Sequence, residues 1–118
     1  MSCTSVDIYE DQPISRAVIA VSGSGNNTIV AAITGKRIRV LAFVLTMTGT
    51  AVTARFEDGA GGTALTGPMT QTQGSPIVAP FNPLGWFETS KATLLNLELG
   101  SAQAVAGVVV YIAVPRNI

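Results

Sequence analysis

No stretch of the sequence sustains apolar residues at i, i+3, i+4 and i+7 without a glycine or proline intervening, and this restricts the fold more than any other feature. Thr, Val, Ile and Gly dominate instead, which favours short extended segments joined by tight turns. Residues 15–22 read as a strand that ends at Gly23-Ser24-Gly25-Asn26-Asn27, a run of turn-forming side chains. Residues 28–34 follow as the next strand, and Gly35-Lys36 turns into a long one over 37–48. There Ile38, Val40, Ala42 and Val44 occupy one phase and Leu41, Phe43, Leu45 and Met47 the other, so the strand is either buried on both faces or bulged.

Gly49-Thr50 separates that strand from 51–57, and strand, short turn, strand is the simplest arrangement of the pair. Residues 63–65 and 69–72 are short candidates split by Gly67-Pro68, placed by the proline at an edge or over a rim. Residues 77–79 lead into a stiff link from Pro80 to Gly85, and 86–89 resume an extended course. Leu95, Leu97 and Leu99 alternate with Asn96 and Glu98, the clearest half-buried strand in the chain. Residues 105–114 form a long β-branched strand stopped by Pro115. About eight strands at this spacing predict an all-β, single-domain antiparallel β-sandwich of the jelly-roll kind over residues 14–118. Residues 1–13 differ in composition, carrying Asp7, Glu10 and Asp11, and read either as an arm laid on a neighbouring subunit or as a frayed terminus.

The 118 residues suffice for one domain with a real core, since a chain of this mass buries about 66% of its unfolded surface. Charged residues make up 12% of the chain, against a usual ~25%, so a surface this sparsely charged predicts partial coverage by a partner. Seven Lys and Arg balance seven Asp and Glu, which disfavours nucleic-acid binding through a basic face. The lone Cys3 excludes an internal disulfide scaffold. The start MSCTSVDIYEDQP lacks the basic and apolar blocks of a secretory signal. The longest apolar runs, 40–45 and 108–114, are far shorter than a membrane-spanning helix, so no membrane partner is expected.

Without histidine, no Ser-His or Cys-His pair exists, and a carboxylate pair is the remaining route to hydrolysis. Its candidates are Glu57, Asp58, Glu88 and Glu98, of which Glu57 and Asp58 point to opposite faces of an extended chain and Glu98 belongs to a solvated face. No enzymatic function is expected. Glu57-Asp58-Gly59 lacks the regular oxygen ligands of a calcium loop, and the glycine-rich turns open no helix, so neither a metal nor a cofactor is implied. Trp86, with Phe81 and Phe87, reads as a plug at one end of the sandwich or as a stacking platform for sugars helped by Asn82 or Glu88. Arg37 and Arg39 share a face and predict an exposed basic edge, able to meet an acidic partner patch. Tyr9, Arg37, Arg39 and Trp86 are therefore the candidate partner contacts.

The turn GTALTGP and the segment PFNPLGWFET, within the region from Lys36 to Val114, resemble small jelly-roll-like structural proteins of tailed bacteriophages. The resemblance covers about two thirds of the chain and rests on turn residues and aromatics. It implies a head decoration, or capsid cement, protein: a homo-oligomer, most simply a trimer, made in the host cytoplasm and bound to the major capsid protein on the outer capsid surface. The alternative is a carbohydrate- or receptor-binding module of a phage tail or fibre.

Overall fold

The computed structural model describes residues 13–115. Ten strands follow one another without a helix: β1 (Ser15–Val21), β2 (Gly25–Val30), β3 (Arg37–Met47), β4 (Val52–Asp58), β5 (Thr63–Ala64), β6 (Met69–Gln71), β7 (Pro76–Ala79), β8 (Phe87–Glu88), β9 (Leu95–Leu99) and β10 (Val105–Val114). They form two antiparallel sheets, β1-β10-β3-β7 with β8 also on β3, and β2-β9-β4-β5 with β6 also on β4. Joining β5 with β6 and β7 with β8 as interrupted strands leaves eight, ordered 1-8-3-6 and 2-7-4-5. That is the two-Greek-key order of a jelly roll.

The alternation of side chains explains why the two sheets close on each other. Leu95, Leu97 and Leu99 of β9, with Val52, Ala54 and Phe56 of β4, turn inward against Ile38, Val40, Phe43, Leu45 and Met47 of β3. Full burial of each large apolar side chain contributes about 1.5–3 kcal/mol. At the centre, Phe56 meets Phe43 edge-on at 5.1 Å between ring centroids and Phe87 at 5.3 Å.

The two apolar phases of β3 come from a bulge. Its pairing with β10 passes from Val110↔Ala42 to Tyr111↔Val40, leaving Leu41 unmatched. Val40 and Phe43 therefore both enter the core, while Leu41 joins Ile112 and Val114 in a second small cluster on the outer side. Near the other end of the pair the backbones come so close that a Cβ on Gly107, at φ +154°, would stand 1.8 Å from the Val44 carbonyl oxygen. Only glycine fits there.

Two sequence expectations change. Gly25, Asn26 and Asn27 lie in β2 rather than in a turn, with Asn27 Nδ2 donating to the Gly23 carbonyl at 2.8 Å. β3 and β4 are not a hairpin: the chain crosses from one sheet to the other between them, as it does between β1 and β2 and between β9 and β10. Packing across the sandwich outweighs the local preference of Gly49-Thr50 for a tight turn. The arm expected over residues 1–13 falls, but for Pro13, outside the described residues. Among those residues, no helix is long and apolar enough to cross a membrane.

Candidate docking surface

A band of apolar side chains crosses the outer face of the β1-β10-β3-β7 sheet from edge to edge. Ile19, Phe43, Leu45 and Val109 point into the core, so their neighbours Val18, Val44 and Val108 point outward, as does Val78 between Ile77 and Ala79. Strand register aligns these four: Val18 pairs with Val108, Val108 with Val44, and Val44 with Val78. The row crosses the whole sheet. Its two ends are open to solvent, Val18 at 75% and Val78 at 60% exposure, and its two middle members are half-buried by their neighbours.

The flanking rows continue the pattern, with Ala20, Ala106, Thr46 and Pro76 on one side and Arg16, Val110 and Ala42 on the other. Arg16 is the single charge in the three rows and sits exposed on the edge strand β1. Beyond β7, the Pro80–Trp86 link exposes Phe81, Leu84 and Trp86 at 56%, 71% and 48%. The link holds itself rigid: Asn82 Oδ1 accepts from the Leu84 amide at 3.0 Å, and Trp86 Nε1 donates to the Pro80 carbonyl at 2.8 Å. A contiguous apolar patch of this kind is what interaction sites display.

The outer face of the second sheet is its chemical opposite. Arg55 donates from Nε to Glu57 at 2.8 Å and from Nη2 to Glu98 at 3.0 Å, while Asn96 Nδ2 reaches Glu57 Oε1 at 2.9 Å and Asn26 Oδ1 at 3.0 Å. Glu57 and Asn96 are fully buried beneath this network, and Asn96 Oδ1 has no hydrogen-bond partner. Burial pushes the Glu57 carboxyl up. Hydrogen bonds from Arg55 and Asn96, together with the Arg55 charge, outweigh it and leave the pKa below the ordinary value. A pocket of about 160 Å³ beside the network is lined by Thr53, Arg55, Pro68, Glu98 and Gly100. A carboxyl held ionised in this way is not a proton donor at neutral pH.

The sequence-predicted contacts fare unequally. Tyr9 lies outside the described residues. Arg37 and Arg39 do share a face, but not an exposed edge, because β3 is an inner strand and β8 covers their end of it. Arg39 is 4% exposed, and its Nε and Nη2 donate to Glu88 Oε1 at 3.0 and 2.8 Å. Glu88 is thus the counter-ion of Arg39 rather than a pocket-lining acid, with Arg37 3.9 Å from its other oxygen. Trp86 and Phe81 do not plug the sandwich. Phe87 takes the core position, since alternation sends only one of two adjacent residues inward.

Glu57 and Asp58 separate as expected, Glu57 into the polar network and Asp58 onto the Ser90 amide at 2.7 Å. Glu98 lies half-exposed beside Arg55. Among the described residues, no three of His, Cys, Asp and Glu gather as a metal site requires. The valine row escapes sequence reasoning because it depends on register among four strands distant in the chain. Its one local signal is that Val18, Val44, Val78 and Val108 each sit out of phase with a core residue.

No family model matches the sequence, and no curated protein matches it. A solved structure from the Bacillus endospore appendages, described as a novel family of disulfide-linked pili, matches over 97% of this chain and 96% of that chain, with a TM-score of 0.51 and 18% identity. The two share a fold. At that identity the likeness extends to the all-β sandwich and no further.

Proposed function

We propose that this chain is a non-enzymatic structural subunit, whose work is to bury its own surface within a larger protein assembly on the outside of a particle or cell. The observation that carries this reading is the apolar face of the β1-β10-β3-β7 sheet, centred on Val18, Val108, Val44 and Val78, with Arg16 the single charge in its three rows. Removing apolar area from water contributes roughly 25 cal/mol per Å², so a surface of this kind stabilises whatever contact covers it. The fold likeness to an appendage protein supports the same role at the level of architecture.

A second setting is the head of a tailed phage, as a decoration subunit on the major capsid protein. The observation favouring it is the pair of segments GTALTGP and PFNPLGWFET. A sugar-binding role is less well supported, because the polar groups nearest Trp86 are already engaged: its own Nε1 with Pro80, Asn82 within its loop, and Glu88 with Arg39.

Immunogold electron microscopy with an antibody to the folded chain tests the reading. Label along filaments supports the appendage setting, and label over a head lattice supports decoration. Label at a tail tip replaces both with receptor binding, and the absence of label from every particle and cell surface overturns the structural role.

A further inference from the structure

We infer that the outer face of the β1-β10-β3-β7 sheet is where a second copy of this chain packs, sheet upon sheet, about a two-fold axis crossing the Val18–Val108–Val44–Val78 row. The inference rests on the assembly reading above and names the partner surface within it. Charge selects the occupant first. The three rows carry one charge, Arg16, on the edge strand where its long side chain extends into water, so a charged partner would be desolvated here without compensation. Of the chain's own two outer sheet faces, the other holds Arg55, Glu57 and Glu98. The apolar face thus has its best match in itself.

Shape selects the same partner. A two-fold running along the strands through the middle of the row sets Val18 of each copy over Val78 of the other, and Val108 over Val44. Four equal side chains meet four equal side chains, as the self-complementarity of an isologous contact demands. Sheets packed in this way lie about 10 Å apart, with interdigitated β-branched side chains.

Area sets the strength. Four strands ~4.8 Å apart and some 20 Å of strand length present about 400 Å² of sheet per copy, or about 800 Å² for the pair. Stable specific interfaces bury ~1,200–2,000 Å² in total, so the sheet face alone falls below that range. The pair is accordingly a weak dimer in free solution, with a dissociation constant on the order of 10–100 µM, a contact that becomes firm when an assembly repeats it.

Sedimentation equilibrium of the full chain at about 10 to 500 µM, beside Val44→Arg and Val18→Arg, is the test. The expected result is a reversible monomer–dimer equilibrium whose dissociation constant rises at least ~100-fold in Val44→Arg, where the guanidinium is trapped mid-face, and less in Val18→Arg at the edge. Val18 is already 75% exposed, so its variant retains the fold even if the Val44 variant does not. A wild-type dimer equally stable in both variants overturns the inference while leaving the assembly reading intact. So does a closed trimer by mass. A chain monomeric throughout the range also overturns it and gives the face to residues 1–12 or to a different protein. Immunogold labelling judges the assembly reading separately.

Discussion

Gly85 stands against the aliphatic stem of Arg39, so near that a Cβ on Gly85 would lie 2.6 Å from Arg39 Cγ and 2.8 Å from Cδ. The glycine, at φ +86°, lets the loop after β7 fold down beside β3, and Arg39 is thereby held out of water with both of its donating nitrogens on Glu88.

Gly85→Ala should therefore cost more than the ~1–2 kcal/mol of left-handed strain, because the arginine stem must also move. A loss of about 2–4 kcal/mol in urea unfolding is expected. The excess over strain should vanish in a Glu88→Gln background, where the ion pair is already gone, and a fully additive double-mutant cycle would contradict the coupling.

Phe56 and Trp86 should differ sharply on truncation. Phe56→Ala opens a cavity among Phe43, Phe87 and the leucines of β9 and should cost about 3–5 kcal/mol. Trp86→Ala, at a half-exposed site, should cost no more than about 1.5 kcal/mol and leave the β-sheet signal in far-ultraviolet circular dichroism in place. Equal losses in thermal unfolding would show that Trp86 is part of the core after all.

Acid should weaken the fold through Glu57. Its folded pKa lies below the unfolded value near 4.5, so the contribution of the ionised carboxyl is complete above that value and is lost as the pH falls through the folded one. Urea midpoints from pH 7 to pH 3 should decline in the wild type and decline less in Glu57→Gln. An identical acid limb in the two proteins would remove Glu57 from the titration.

Ala92 adopts φ +58°, a left-handed conformation costly for any residue with a Cβ, while its amide donates to the Lys36 carbonyl at 2.7 Å. Ala92→Gly should raise stability by about 0.5 kcal/mol, the strain relief exceeding the added chain entropy of the unfolded state. A lower melting temperature would refute this balance.

Strand positions were largely legible in the sequence because burial leaves a period-two imprint on β-branched segments. The run from Leu95 to Leu99, the span of β10 and the double phase around Leu41 all carry it. Sheet membership carries no such imprint. The chain changes sheets after β3, and nothing in Gly49-Thr50 distinguishes that crossing from a hairpin. Arg39 misled for a related reason: an alternating arginine looks solvated until its partner, 49 residues along the chain, is brought across by β8. The face of the molecule followed last, since four valines become one row only through three separate pairings.

The placement of β10 between β1 and β3 has a consequence for how the protein is made. The strand that comes last of the ten is an inner member of its sheet, joining the first strand to the third, so nine strands emerging from a ribosome leave β1 without its neighbour. Val108 is then missing, and the Val18 and Val44 portions of the face are not yet side by side. Synthesis itself delays the sticky surface until the tenth strand has emerged, which protects crowded nascent chains from joining one another too early.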